Sequence, residues 1–298
     1  MEFTWIYNHQ TPRKLRAALR MYGVSSSLLK VAIYHGGKMK INGEDKWAVD
    51  QVHYQDKITL ILPPEVANNN VDISNEPIDI IYEDRDFLIM NKPAGVATVP
   101  AHNVEVADSL VNRVRGYYKQ QNYENQVTHV ATRLDRDTSG IVIFPKHRFA
   151  HAVLDTQLKK HLVKKNYLAL IHGTVPAQHG YIDAPIKRDA DSFVKRMVGK
   201  GGKASVTEYW CAKSNPQASL VKIRLHTGRT HQIRVHFAAL GFPLIGDRMY
   251  GKDSKIIARQ ALHCYWVKFY SPFQGKNIIV SAPLPKDFQH AVNYYIGS

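Results

Sequence analysis

The sequence of 298 residues contains little cysteine and no long apolar run. Its two cysteines, Cys211 and Cys264, form no Cys-x-x-Cys pair, which excludes the common zinc and dithiol motifs. Two isolated cysteines are typical of a reducing compartment, so we expect a cytoplasmic protein. No stretch of about 18 apolar residues occurs, and Met1 to Gln10 contains no apolar core of a signal peptide, so we expect no membrane span.

The sequence also lacks a P-loop, a G-x-G-x-x-G run and any set of Cys and His with metal-ligand spacing. We therefore expect no metal, nucleotide or redox cofactor. Hydrophobic residues make up 44% and charged residues 22%, a composition typical of folded globular proteins. The length predicts about two domains, and nothing in the sequence requires more than a monomer.

Basic residues greatly outnumber acidic ones, with 40 Lys and Arg against 25 Asp and Glu and a net charge of +15. The excess lies in residues 101–298, whereas residues 64–100 are acidic. A positive field favours a polyanionic partner, because binding releases counterions from its phosphates. The charge therefore favours nucleic acid, with an ordinary basic enzyme surface as the alternative.

Residues 1–63 predict a small module of two helices and several strands. Thr11-Pro12 should begin the first helix, because a Thr cap followed by Pro is a common helix start. A serine among Ser25 to Ser27 should cap the second helix. Asn42-Gly43 is a typical hairpin turn, and apolar alternation in residues 58–62 predicts a last strand.

This module resembles the S-four-like RNA-binding domain that accompanies many RNA-modifying enzymes. That family usually has Arg or Lys at the start of the second helix, where this chain has Ser25 to Ser27. A purely structural appendage therefore stays as an alternative to RNA contact. Asn-rich and Pro-rich residues 64–77 predict a linker, and we expect a second domain over residues 78–298.

The second domain shows no regular alternation of strands and helices. Strands are predicted at 78–82, 87–90, 141–144, 167–172 and 218–225, and helices at 106–118, 147–162 and 230–240. This order favours an α+β fold with a largely antiparallel mixed sheet over a doubly wound fold.

The run R-L-D-R-D-T-S-G, Arg133 to Gly140, places two acids and two arginines directly before an apolar strand. Asp135 should stay ionised, because Arg133 and Arg136 favour its charged form. An ionised, immobilised carboxylate can act as a nucleophile or a general base. From the residues alone, a surface ion-pair cluster fits equally well. Asp137 is interpreted as structural.

Three further segments stand out. Asn91 to Val96 forms a sharp loop after an apolar strand. Lys164-Lys165 precedes Tyr167, whose ring could pack in the core or stack on a base. The run T-G-R-T-H-Q-I-R, Thr227 to Arg234, places Arg229 at a turn from strand to helix, where a side chain is well positioned.

With these four segments in this order, residues 78–290 resemble an RluA/RluD-type pseudouridine synthase. The resemblance implies an isomerase that converts uridines in structured RNA to pseudouridine without a cofactor. Large-subunit ribosomal RNA is the favoured substrate, because members with an S-four-like module often act there, and transfer RNA is the alternative. The target uridine would flip out of the RNA stack, at a cost of roughly a few kcal/mol.

The resemblance also implies roles for single residues. Asp135 matches the essential aspartate, Tyr167 the active-site tyrosine, and Arg229 the arginine that pairs with the aspartate. Arg133 matches an arginine that fills the gap left by the flipped base. Many members have His directly before R-L-D, whereas this chain has Thr132. Other basic residues are expected to contact RNA: Arg136, Lys164, Lys165, His231 and Arg234.

Two other classes of protein fit parts of the sequence. Asp135, Asp137 and Thr138 resemble the acidic motif of haloacid-dehalogenase phosphatases, but there the apolar strand precedes the acids, and here it follows them. A non-catalytic RNA-binding or ribosome-assembly protein fits the charge, yet it leaves the combination of Asp135, Tyr167 and Arg229 unexplained.

Overall fold

The computed structural model describes residues 1–66, 72–100 and 108–297. Residues 67–71 of the predicted linker, and the first two positions of the helix predicted at 106–118, lie outside this described part. None of the described helices is both long and apolar enough to cross a membrane.

The N-terminal part forms a four-stranded antiparallel sheet in the order β1-β6-β3-β4, with two helices packed on it. A separate short pair joins β2 and β5. The elements are β1 (Glu2–Ile6), β2 (Arg13–Lys14), α1 (Leu15–Met21), α2 (Ser26–Tyr34), β3 (Lys38–Ile41), β4 (Glu44–Asp45), β5 (Gln51–Val52) and β6 (Lys57–Ile61).

Of the helix caps and turns predicted for the N-terminal part, two agree with the structure and one does not. The Ser25 side chain accepts a hydrogen bond from the Leu28 amide at 3.2 Å, which confirms the predicted cap. Asn42 and Gly43 both have positive φ, at 53° and 90°, as the predicted hairpin turn requires. The helix start at Thr11-Pro12 is wrong, because the chain first pairs as β2 with β5 and the helix begins at Leu15.

The larger part contains eleven strands and four helices among the described residues. They are β7 (Ile80–Glu83), β8 (Phe87–Lys92), α3 (Leu110–Gln120), β9 (Ser139–Pro145), α4 (Arg148–Lys159), β10 (Lys164–His172), β11 (His179–Asp183), β12 (Ile186–Arg188), β13 (Arg196–Val198), β14 (Val206–Ser214), β15 (Ala218–Leu225), α5 (Gln232–Ala239), β16 (Leu262–Ser271), β17 (Lys276–Ser281) and α6 (Lys286–Ile296).

Nine of these strands form one sheet in the order β11-β14-β15-β10-β16-β9-β8-β7, with β17 added beside β16. Its described pairings are antiparallel, except that β9 and β16 run parallel. Strands β12 and β13 form a separate hairpin. The prediction of an α+β fold with a largely antiparallel mixed sheet is confirmed.

The large sheet is covered on both faces. Helices α4 and α5 bury apolar side chains such as Leu154 and Phe237 on one face. Helices α3 and α6 cover the other face, with Val114 and Phe288 among their buried residues. The alternating residues of β9 divide between the two cores, so this strand is buried from end to end.

Gly140 allows β9 and β16 to meet closely. Its φ is 113°, and a Cβ atom at this position would lie 2.2 Å from the Cys264 carbonyl oxygen. Only glycine fits both the conformation and the space. The last residue of the R-L-D-R-D-T-S-G run is therefore fixed against the centre of the sheet.

The N-terminal part packs directly on the larger part. Phe149 and Val153 of α4 belong to the N-terminal core, and the rings of Phe149 and Phe3 meet edge to face at 5.0 Å. Glu65, inside the predicted linker, is buried and accepts hydrogen bonds from His129 at 2.9 Å and from the Arg148 amide at 2.7 Å. The domain boundaries at residues 63 and 78 stay a prediction.

Candidate active site

Asp135 lies in the loop of residues 133–138, here called the catalytic loop, which leads into β9. Its side chain is 27% exposed, so the carboxylate is both accessible and held. Arg234 Nη1 donates to Asp135 Oδ2 at 3.1 Å. The Thr138 amide donates to the Asp135 carbonyl oxygen at 3.0 Å and closes the turn.

Arg234, near the start of α5, joins Asp135 to a second acid. Its Nε and Nη2 atoms donate to the two oxygens of Asp247 at 2.7 and 2.8 Å, and the Asp247 side chain is fully buried. Burial opposes the charge of Arg234, but the hydrogen bonds and charges of Asp247 and Asp135 raise its pKa above the usual value. Arg234 is thus a permanent cation beside Asp135.

The predicted pairing of Arg229 with Asp135 is wrong. Arg229 is exposed, and its Nε donates to the Ala204 carbonyl oxygen at 3.1 Å. The helix begins at Gln232, two residues later than predicted, and follows a left-handed residue, so Arg229 stays in the turn while Arg234 faces inward. The interpretation of Arg234 as a surface contact for RNA is wrong for the same reason.

His231 also lies beside Asp135 rather than on the surface. Its side chain is 10% exposed, and its Nε2 atom is 3.8 Å from Asp135 Oδ2. Its Nδ1 atom is hydrogen-bonded to the Tyr250 hydroxyl at 2.8 Å. Burial lowers the pKa of His231, against the opposing effect of Asp135, so the imidazole is neutral near pH 7. The predicted role of His231 in contacting RNA stays a prediction.

Tyr167 lies in β10, and only 4% of it is exposed. Burial raises its pKa well above the usual value, and the charge of Asp135 adds to the effect, so the phenol keeps its proton. Lys165 lies on the same face of β10, and burial lowers its pKa. Lys164 is exposed and donates to the His161 carbonyl oxygen at 3.0 Å. Of this basic pair, Lys164 is therefore the residue open to RNA.

Lys92 holds the catalytic loop from one side, a role that the sequence did not indicate. The residue is fully buried, and its ammonium group donates to the carbonyl oxygens of Pro93, Val96 and Arg136 at 2.8, 2.7 and 2.8 Å. Burial lowers the pKa of Lys92 to about 7. The segment from Asn91 to Val96 is thus tied to the catalytic loop through one side chain.

Arg259 holds the same loop from the other side. Its Nη1 atom donates to the Asp137 carbonyl oxygen at 3.2 Å, while its Nε and Nη2 atoms pair with Asp287 at 2.7 and 3.0 Å. Gln260 Nε2 donates to Thr138 Oγ1 at 3.1 Å. The loop that carries Asp135 is therefore fixed at successive residues by buried side chains from distant parts of the chain.

The two arginines within the catalytic loop itself face solvent. Arg133 and Arg136 are exposed, and Arg136 pairs with Asp137 at 3.1 Å. Thr132 is turned inward and accepts the Ile143 amide, while His129 bonds to Glu65 away from Asp135. Within residues 1–66, 72–100 and 108–297, no group of three acidic, His or Cys side chains is arranged to hold a metal ion.

Comparison with known proteins relates the chain to RNA pseudouridine synthases. A model of the RNA pseudouridylate synthase family matches residues 86–239. YjbO of Bacillus subtilis (strain 168), described as an uncharacterized RNA pseudouridine synthase, is 38% identical over 270 residues, which cover 91% of this chain and 95% of that protein.

Two further proteins extend the comparison. The ribosomal large subunit pseudouridine synthase D of Zymomonas mobilis subsp. mobilis (strain ATCC 31821 / ZM4 / CP4) is 35% identical over 78% of this chain and 76% of its own length. The structure of human RNA pseudouridylate synthase domain containing 1 superposes with a TM-score of 0.59 and 27% identity, covering 71% of this chain and 85% of that chain.

The chain belongs to the RNA pseudouridylate synthase family. It is an isomerase that converts uridine in RNA to pseudouridine, as the resemblance of its four motifs predicted.

Proposed function

We propose that this enzyme modifies uridines of large-subunit ribosomal RNA, with Asp135 as the catalytic carboxylate, Arg234 as its electrostatic partner and Tyr167 in the floor of the site. The observation that carries the assignment is the position of Asp135. It is the partly exposed acid at the end of a buried chain of charges formed by Arg234 and Asp247.

The reaction breaks the bond between the ribose C1′ and uracil N1 and forms a bond between C1′ and uracil C5. The proton on C5 leaves, and N1 gains a proton, so atoms and charge balance. Asp135 either attacks C1′ or removes a ribose proton beside it. Both routes need an ionised carboxylate, and the fixed guanidinium of Arg234 favours that form.

The flipped uridine must find compensating contacts in the protein. The charge of Asp135 acts on buried Tyr167, and the protonated hydroxyl of Tyr167 is suited to hydrogen bonding or to assisting proton transfer at C5. Arg133 is exposed on the same loop and is available to fill the gap in the RNA stack. Arg136 and Lys164 are exposed cations suited to RNA phosphates.

Three observations support ribosomal RNA as the substrate. A relative of 35% identity is named a ribosomal large subunit pseudouridine synthase. The net charge of +15 suits a large polyanion. The N-terminal part has the two helices and the hairpin expected of an S-four-like module and packs on α4, which holds it at a fixed position beside the larger part. We place the reaction in the cytoplasm, with a monomer as the active form.

The test is complementation of a strain that lacks this enzyme, with pseudouridines mapped in both ribosomal and transfer RNA. The wild-type protein should restore one or more sites in large-subunit ribosomal RNA. Asp135→Asn keeps the size and polarity of the side chain but removes its charge, so it should restore none while still binding RNA.

Asp137→Asn is the matched control, because it makes the same change two residues away, at an acid whose side chain pairs with Arg136. This variant should keep activity of the wild-type order. Normal modification by Asp135→Asn would contradict the catalytic assignment. Restoration of sites in transfer RNA alone would leave that assignment intact and overturn the choice of substrate.

A further inference from the structure

His231 is one of the described non-glycine residues with a positive φ. It caps the N-terminus of α5 with φ of 58° and ψ of 18°, in the left-handed region, and its side chain makes no capping hydrogen bond. Strained residues of this kind persist when the surrounding structure fixes them, and they cluster at functional sites. The conformation places the imidazole beside Asp135 instead of at the helix end.

Tyr250 determines how the imidazole is oriented. The Arg196 amide, in β13, donates to the Tyr250 hydroxyl oxygen at 2.8 Å. With this donor on the oxygen, the hydroxyl proton is directed to His231 Nδ1, also 2.8 Å away. A neutral imidazole that accepts at Nδ1 carries its proton on Nε2. The Nε2–H group therefore faces the Asp135 carboxylate.

Tyr250 also contacts the other partner of Asp135. The guanidinium carbon of Arg234 lies over the Tyr250 ring, 5.0 Å from its centroid, and the ring meets that of His231 edge to face at 5.6 Å. One tyrosine thus packs against both groups that approach Asp135. Its own amide donates to Asp247, so its position is tied to the same buried ion network.

We propose that Tyr250 and His231 form a positioning pair for the catalytic carboxylate: Tyr250 selects the imidazole tautomer, and His231 Nε2–H approaches Asp135 Oδ2, the same oxygen that accepts from Arg234. The 3.8 Å separation shortens to a hydrogen bond when RNA closes the site, as catalytic hydrogen bonds often do on substrate binding. The inference rests on the proposed role of Asp135 and adds two residues that the sequence motifs did not assign to it.

The test uses the full-length enzyme and a transcript of the large-subunit ribosomal RNA that the wild-type protein modifies. Single-turnover rates and RNA dissociation constants are measured for Tyr250→Phe, His231→Asn and the double variant. Tyr250→Phe removes one hydroxyl and keeps the ring over Arg234, so we expect the rate to fall about fivefold, the effect of one hydrogen bond. RNA affinity should stay within about twofold, because neither side chain is one of the exposed cations suited to RNA phosphates.

Asn tolerates positive φ, so His231→Asn removes the imidazole without adding backbone strain. We expect a fall of about tenfold, and the double variant should be no slower than His231→Asn, because both changes break the same chain of contacts. Tyr117→Phe is the matched control. It removes a hydroxyl that donates to Glu83 at 2.7 Å on β7, away from Asp135, and should leave the rate unchanged.

A wild-type single-turnover rate for Tyr250→Phe would overturn the proposal. The proposal would also fail if the rate losses of the two single variants multiplied in the double variant, or if the variants lost thermal stability but no rate. Asp135→Asn is measured in the same series. If that variant is active, the catalytic assignment fails. If it is inactive while Tyr250→Phe and His231→Asn react normally, only the positioning pair fails.

Discussion

Two regions of this enzyme are held together by opposite means. The catalytic loop is fixed by buried basic side chains, since Lys92 and Arg259 donate to its carbonyl oxygens and Arg234 donates to Asp135. The contact between the N-terminal part and α4 is mainly apolar and aromatic, with Phe3 and Phe149 at its centre. Polar contacts of basic side chains therefore dominate at the candidate active site, and ring packing dominates at α4.

The difference has an energetic meaning. A buried ion is costly unless its partners are complete, so removing one partner leaves the other uncompensated. Apolar packing is lost in proportion to the side-chain volume removed and leaves no unpaired charge. The two regions should therefore respond differently to truncation, in catalytic rate as well as in stability.

The largest effect is expected for Arg234→Ala. It leaves the fully buried Asp247 without its partner, which should lower the free energy of unfolding by about 3–5 kcal/mol. Modification should also fall by orders of magnitude, because Asp135 loses its guanidinium. Urea unfolding and single-turnover assays measure the two losses.

Arg229→Ala is the control for this prediction, because it removes an exposed arginine of the same motif. Its free energy of unfolding should change by less than about 0.5 kcal/mol. The reverse ranking of the two variants would restore Arg229 as the partner of Asp135.

Phe149→Ala tests the apolar region. The ring is fully buried between α4 and the N-terminal core, so we expect a loss of about 3–4 kcal/mol in the free energy of unfolding. The rate of the chemical step in the folded protein should be retained, in contrast to Arg234→Ala. Phe193→Ala, at a residue that is 90% exposed, should leave stability nearly unchanged. If Phe149→Ala lost as much catalytic rate as Arg234→Ala, the proposed difference between the apolar region and the catalytic loop would be wrong.

The smallest effect concerns Glu65, the buried acid of the apolar region. Burial raises its pKa, but the hydrogen bonds from His129 and the Arg148 amide outweigh this and lower it overall. Because the folded pKa lies below the unfolded value of about 4.3, the stabilisation is complete above that pH and is lost as pH falls through the folded pKa.

Glu65→Gln should therefore cost about 1 kcal/mol in the free energy of unfolding at pH 7, and less below pH about 4. Urea unfolding at several pH values measures the difference from wild type. Glu124→Gln, at an exposed acid, should show no such dependence on pH. A gap between Glu65→Gln and wild type that widens in acid would contradict the assignment of Glu65 as an ionised acceptor.

Short sequence patterns predicted those helices and strands whose residues show a clear apolar pattern along the chain. The strand at 141–144 was found because all its residues are apolar, and β9 is buried on both faces. Strand β16 was not predicted, because its pairing with β10 shifts register between Asn166 and Tyr167 and breaks the alternation of apolar side chains. The helix α6 was missed as well, although its buried residues Phe288, Ala291 and Val292 follow helical spacing.

The candidate site shows the same limit. The motifs located Asp135 and Tyr167, because these residues lie in short, specific runs. They did not show which arginine of T-G-R-T-H-Q-I-R faces Asp135, because that choice depends on Asp247, thirteen residues beyond Arg234. The sequence did not indicate Lys92 or Arg259 either, because their acceptors in the catalytic loop are backbone carbonyl oxygens, which carry no sequence signature.

The order of strands in the large sheet has a consequence for biosynthesis. Strand β16, from near the C-terminus, lies between β9 and β10, which position Asp135 and Tyr167. The two halves of the site cannot become neighbours until residues 262–271 have emerged from the ribosome and been inserted. Such non-local pairing is slow, because a long loop must close before its contacts form. A nascent or truncated chain that ends before β16 therefore has no assembled site, and the enzyme becomes competent for RNA only once β16 has joined the sheet.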